Sequence, residues 1–327
     1  MRGIVHSSSF LKPMESQIGK GAIPVSCARA GLVAGLRALG IKRMDEILVA
    51  PYMCQAVLSA LSRTAFPTMT PSHRTKAIMV FHQFGFPQNL SLIEDVAKKN
   101  KWIIVSDCAH TISSSYKGQN VVRWGDFSVV SFSKIFPCIL GGALVSSREK
   151  FLKEVENKIK FLSPRDKVWV EKAYRTLEKY QKIQCGNDAV FEIASVYGYL
   201  PEVVSFPQQA ESLLPKTKEE VVADIERRRN IWKAVKSFFP KLVPICLESD
   251  VVPWAIPIKV DPAKAENIVQ NIKKKVNVDL PILHFDFARN MLNPDYRKAL
   301  VIDCHNETKE GLVGEICTIL KKEVLKG

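Results

Sequence analysis

Between residues 26 and 150 the chain alternates short, near-continuous apolar runs with helix-length segments, and this alternation restricts the fold more than any other feature. "EILVAP" (46–51), "AIMVFH" (77–82) and "WIIVSD" (102–107) read as buried strands, and "DFSVVSF" (126–132) and "GGALVSS" (141–147) as two more. Helices are expected over 27–40, with Ser26 as the N-cap and Gly40 as the C-cap, over 54–63 and over 90–100. Strands apolar on both faces and separated by helices imply a mostly parallel sheet sandwiched by helices. The expected fold class is therefore α/β.

From 148 to 235 the pattern becomes helical and charged, with a break at 198–215 where Gly, Pro and Ser collect. Strand patterns at 251–260 and 299–304 alternate with helical ones at 262–275 and 308–325, as in a small α+β domain. The expected division is a large domain, 1–235, that includes the helical segment 148–235, and a small C-terminal α+β domain, 236–327.

Lys plus Arg number 47 against 33 for Asp plus Glu, a net charge of +14 that draws anions to the surface. The basic residues are interleaved with acids on helical segments, and no nucleic-acid-binding motif accompanies them. A phosphate-bearing small molecule is the expected anion, in preference to nucleic acid. No apolar stretch has signal-peptide or membrane-helix character, so a cytoplasmic protein without membrane contact is expected. The eight cysteines form no C-x-x-C pair, which leaves neither a zinc site nor a disulfide framework and points to reduced core residues.

Against this background "VSFSKIFPCILGGALV" (130–145) is unusual, because it places Lys134 at the end of an apolar run. Desolvation disfavours an ammonium ion and lowers its pKa, which makes the neutral amine available; such lysines form Schiff bases. Asp107 ends the strand "WIIVSD", and ligands of parallel sheets bind at the carboxyl ends of strands. There an aspartate either caps the next turn or pairs with a protonated pyridine nitrogen. "SCARAG" opens the first helix with small residues, where backbone N–H groups can hold a phosphate, and Ser131 could add a hydroxyl. Neither G-x-x-x-x-G-K-[ST] nor G-x-G-x-x-G occurs.

The order "ARAGLVAGLRALGI", "DEILVAPYMCQAVLSAL", "FHQFGFPQNL", "IIVSDCAHTISSSYKGQNVVRWGDFSVVSFSKIFPCILGGALVSS" and, far downstream, "ERRRN" resembles the DegT/DnrJ/EryC/StrS-type aminotransferases, which have the fold type I of the aspartate aminotransferase superfamily. The resemblance implies pyridoxal phosphate as cofactor, held by Lys134 as the Schiff-base residue and proton shuttle. It implies Asp107 as the partner of the pyridine nitrogen and His110 near the cofactor's ring oxygen. Ala28 and Arg29 match the backbone that holds the phosphate, Ser131 the phosphate-binding hydroxyl, and Tyr52 or Cys54 an aromatic cover for the ring. The implied activity is transamination from an amino-acid donor to a keto acceptor, a nucleotide-linked keto sugar, in a homodimer with sites at the interface.

Three features depart from the family pattern. The G-x-N-x-R motif is not evident where "CGNDAVFEIASVYGYLP" stands, the phosphate loop reads S-C-A-R in place of a threonine-bearing one, and the chain starts close to the first large-domain helix. Two alternatives stay open: a pyridoxal phosphate enzyme of this fold acting on a non-sugar substrate, and a non-catalytic regulatory or nucleic-acid-binding protein.

Overall fold

The computed structural model describes residues 8–160, 165–181, 187–245, 247, 249–304, 308 and 310–324. Its main sheet has seven strands in the order Ala22–Val25, Gly142–Val145, Phe127–Ser131, Ile103–Cys108, Thr75–Phe81, Glu46–Leu48, Phe66–Thr68. The five strands from Phe127–Ser131 to Phe66–Thr68 run parallel, whereas Gly142–Val145 is antiparallel to both of its neighbours. The fold is α/β, as the alternation requires.

Side chains alternate between the two faces of a strand, and here the alternation separates two cores. Met79, Val105, Val129 and Leu144 belong to one buried cluster, and Val80, Cys108, Val130 and Ala143 to another. Helix Ala28–Ala38 lies on the first face and helix Leu90–Asn100 on the second, which is why the central strands are apolar throughout.

Two expectations at the first helix need correction. Its N-cap is Cys27 rather than Ser26. Ser26 is fully buried, its hydroxyl donates to the Val203 carbonyl, and its backbone N–H bonds to the Val204 carbonyl at 3.0 Å. It therefore ties the sheet to the distant 203–204 segment. Gly40 follows the cap Leu39 with φ +75°, and the Ile41 N–H reaches the Leu36 carbonyl at 3.1 Å, which closes the helix end as Gly allows.

The glycine pair after Lys134 has a steric cause. Gly141 has φ +125°, and a Cβ on Gly142 would lie 2.4 Å from the Val130 carbonyl oxygen and 2.9 Å from the Ala28 nitrogen. Only glycine lets this strand start so close to the opening of the first helix.

The C-terminal sheet has three antiparallel strands, with Tyr296–Asp303 between Ala255–Lys259 and Ile282–Asp286. The sequence reading omitted Ile282–Asp286, whose "ILHFD" shows little apolar contrast. Its cluster takes Ile231, Trp232 and Val235 from helix Lys218–Phe238, and Phe84 and Phe86 from the large sheet's loop. Five of the six described cysteines are buried, whereas Cys54 is exposed, against the expectation of core thiols throughout. Cys185 and Cys246 lie outside the described residues.

Candidate active site

At the carboxyl ends of adjacent parallel strands the structure gathers Asp107, His110 and Lys134. Asp107 is paired in register with Phe81 and Val129, and Lys134 sits in the one-turn helix Phe132–Ile135 that follows the next strand. The Asp107 carboxylate accepts the Ala109 N–H at 3.0 Å, a bend that turns the chain back and brings His110 over the strand end.

The His110 ring is fixed on both nitrogens and on its faces. Nδ1 lies 3.0 Å from the backbone N–H of Phe84, which can only donate, so Nδ1 carries no proton and Nε2 does. Nε2 is 2.8 Å from Lys134 Nζ. With the ring neutral, its proton must point at the lysine, and Nζ can accept it only as a free amine. Trp254 stacks on the ring at 4.5 Å and 14°, and Phe81 meets it edge-on at 5.0 Å.

The electrostatics agree with this assignment. Burial lowers the Lys134 amine below the ordinary lysine value, Arg29 acts in the same direction, and Asp107 and Cys54 oppose it. Burial is the larger cause that holds His110 well below the usual imidazole range, and a proton on Lys134 would press it further down. Burial raises the Asp107 carboxyl against the pull of Lys134 and the Ala109 N–H.

Phe84 supplies its N–H from a left-handed backbone, φ 55° and ψ 17°. The sequence offered no signal for that donor or for Trp254, which lies 144 positions after His110. Behind the site His82 is fully buried, with Nε2 3.0 Å from Ser106 Oγ and Nδ1 accepting the Gln88 N–H at 3.3 Å.

The remaining expected residues are distributed as follows. Ala28 and Arg29 open helix Ala28–Ala38, whose first N–H groups have no partner within the helix. The Arg29 guanidinium lies over the Tyr197 ring at 4.6 Å, and its Nη1 is buried with no hydrogen-bond partner among the described residues. Ser131 is buried, with its hydroxyl 3.1 Å from that of Ser133. Tyr52 does not meet His110: it stacks on His284 at 4.3 Å and tilts against Tyr296 at 4.8 Å, with 61% of its surface exposed. The ring that faces His110 is Trp254. Part of "CGNDAVFEIASVYGYLP" lies outside the described residues.

A pyridoxal phosphate molecule fits these residues on two structural grounds. The donor set pairs a desolvated amine with a buried carboxylate on neighbouring strand ends, and a buried guanidinium nitrogen at the helix opening lacks a partner among the described residues.

The family model described as the DegT/DnrJ/EryC1/StrS aminotransferase family matches residues 68–172, a span that holds Asp107, His110, Ser131 and Lys134. The GDP-perosamine synthase of Escherichia coli O157:H7 is 32% identical over 146 residues, 38% of this chain and 40% of that one. A dTDP-4-amino-4,6-dideoxy-D-glucose transaminase of Shigella dysenteriae is 30% identical over 147 residues, 38% of this chain and 39% of that one. These matches span less than half of each relative's length. Among solved structures, a Streptococcus pneumoniae sugar-aminotransferase candidate in its PLP form covers 97% of this chain and 90% of its own, with a TM-score of 0.69 and 16% identity. That likeness shows the fold.

Proposed function

We propose, from the membership of residues 68–172 in the DegT/DnrJ/EryC1/StrS aminotransferase family, that this chain is a pyridoxal phosphate-dependent aminotransferase. Its acceptor is a keto sugar, as the names of the two curated relatives suggest. The observation that carries the reading is the desolvated Lys134 Nζ, set 2.8 Å from His110 Nε2 beside Asp107.

When bound, pyridoxal phosphate supplies an electron sink that stabilises negative charge on a substrate carbon. Lys134 Nζ is the nucleophile and, once free, the base that takes and returns the substrate proton. His110 holds that amine unprotonated by donating from Nε2, and Trp254 and Phe81 keep water from the ring. The Asp107 carboxylate would face a protonated ring nitrogen, whose charge restores the ionised form that burial disfavours. The N–H groups of Ala28 and Arg29, the Arg29 guanidinium and the Ser131 hydroxyl would hold the phosphate. We place the protein in the cytoplasm as a homodimer with a large domain over 1–235 and a small one over 236–327. No described helix is long and apolar enough to cross a membrane.

The test is an absorbance spectrum of the purified protein with pyridoxal phosphate, beside Lys134→Ala, followed by glutamate or glutamine. A visible band that requires Lys134 and bleaches with the donor supports the half-reaction, and its return with a keto sugar supports the acceptor. A wild type without the band overturns the reading and favours a non-catalytic binding role.

A further inference from the structure

Arg228 is 2% exposed, an unusual depth for a guanidinium, and lies in helix Lys218–Phe238, which packs into the cores of both the large and the C-terminal sheet. Its Nε pairs with Asp224 at 2.7 Å, the helical (i, i+4) partner that offsets its charge. The same carboxylate also takes Arg227 at 2.8 Å. The rest of the fork reaches outward. Nη2 donates to the Ile135 carbonyl at 2.8 Å, and Nη1 approaches the Pro253 carbonyl at 3.5 Å.

Both carbonyls border the site. Ile135 is the residue after Lys134 and the last of its one-turn helix, and Pro253 precedes Trp254, the ring stacked on His110. A four-residue helix is too short to hold itself, so an external donor on its final carbonyl sets where Lys134 points. Trp254 is further fixed by its N–H on the Phe84 carbonyl at 2.9 Å, the residue whose own N–H sets the His110 tautomer.

We infer that Arg228 is a positioning residue for Lys134, one guanidinium that locks the lysine turn to the Trp254 wall and so keeps the amine against His110. The inference deepens the aminotransferase reading, since it concerns the same lysine. Lys134 faces Asp107 and His110 from the strand end and loop of the large sheet, Cys54 from the segment after another strand, and Arg29 from the first helix. Without the fork the turn loosens, Nζ leaves the His110 proton for water, and the amine regains the protonation of an ordinary lysine.

The readout is competitive acetylation of Lys134 by acetic anhydride across pH 6–10, followed by mass spectrometry and normalised to exposed Lys241. Wild type is compared with Arg228→Gln and Arg228→Lys, and thermal melting is recorded for each. In Arg228→Gln the Lys134 midpoint is expected to rise by about one pH unit, roughly a tenfold loss of free amine at a given pH below it. Arg228→Lys keeps a cation beside Asp224 but not the fork, and is expected to shift part of the way. An unchanged midpoint in both variants, with only the melting temperature lowered, overturns the inference and leaves Arg228 a structural residue. If Arg228→Gln does not fold, an unchanged midpoint in Arg228→Lys alone overturns it. The labelling needs no pyridoxal phosphate, so a wild type lacking the visible band sinks the proposed activity separately.

Discussion

Single side chains in this protein are governed by desolvation, and two of them make that measurable. Folding forces Lys134 toward its neutral form, so between its lowered value and the ordinary 10.5 the unfolded chain binds the extra proton. Lys134→Met is therefore expected to raise stability at pH 7, with an advantage that shrinks as pH rises toward 10, as read by urea unfolding at both pH values. His82 is the cleaner case, because burial lowers it from 6.5 to about 3. Its neutral form contributes fully above pH 6.5, and the contribution falls by about 1.4 kcal/mol per pH unit as pH drops toward 3. In His82→Leu the unfolding free energy should lose this one-proton slope between pH 6.5 and 4.5; an unaltered slope would assign it to other groups. Lys134 and Asp107 were legible in the sequence through their place in the family's order of motifs, since an aspartate ending a strand is as readily a turn cap, which the Ala109 N–H bond shows it also is. Trp254 and the Phe84 N–H were not, since one arrives from a separate sheet and the other is a main-chain group common to nearly every residue.

Elements were legible to the extent that they repeat a period. The strands 46–51, 77–82, 102–107, 126–132 and 141–147 all appear: three are trimmed to Glu46–Leu48, Phe127–Ser131 and Gly142–Val145, Thr75–Phe81 starts two residues earlier, and Ile103–Cys108 is shifted by one. Ser26 misled because a serine before an Ala-rich run has the composition of a cap, and only its long-range bonds to 203–204 reveal another use. The glycines separate the same way. Gly142→Ala sets a Cβ against backbone atoms at 2.4 and 2.9 Å, and is expected to cost about 3 kcal/mol and to weaken pyridoxal phosphate binding, since the displaced atoms include the Ala28 N–H. Gly40→Ala meets nothing within 4 Å and strains only its φ of +75°, so about 1 kcal/mol is expected with no effect on binding. Chemical denaturation and cofactor titration of the two variants would separate steric from conformational cost.

At the scale of the whole molecule the apolar surface is uneven. Val168, Trp169, Val190, Phe191 and Tyr197 are exposed on the helices Arg165–Gln181 and Asn187–Tyr199, and Phe191 is 78% exposed. An exposed apolar face of this kind marks an interaction surface, and the proposed homodimer would cover it. Sedimentation equilibrium should give twice the 36.7 kDa of one chain, and Phe191→Asp should move the distribution toward monomer. A wild type that sediments as a monomer at tens of micromolar would refute that assembly. The change in patterning near 236 falls inside helix Lys218–Phe238, which packs Val221 and Ile225 into the core of the large sheet and Ile231, Trp232 and Val235 into that of the C-terminal sheet.

The left-handed turn at Phe84 sets a limit on how this protein can vary. The proton arrangement at His110 is dictated by a peptide N–H, which every residue except proline possesses, so replacing the Phe84 side chain leaves the instruction in place. Phe84→Leu, Phe84→Tyr and Phe84→Asn are thus each tolerated at the expense of packing alone, whereas anything that flips this one peptide, held at φ 55° against its natural preference, would reverse the histidine and silence the lysine without touching either side chain.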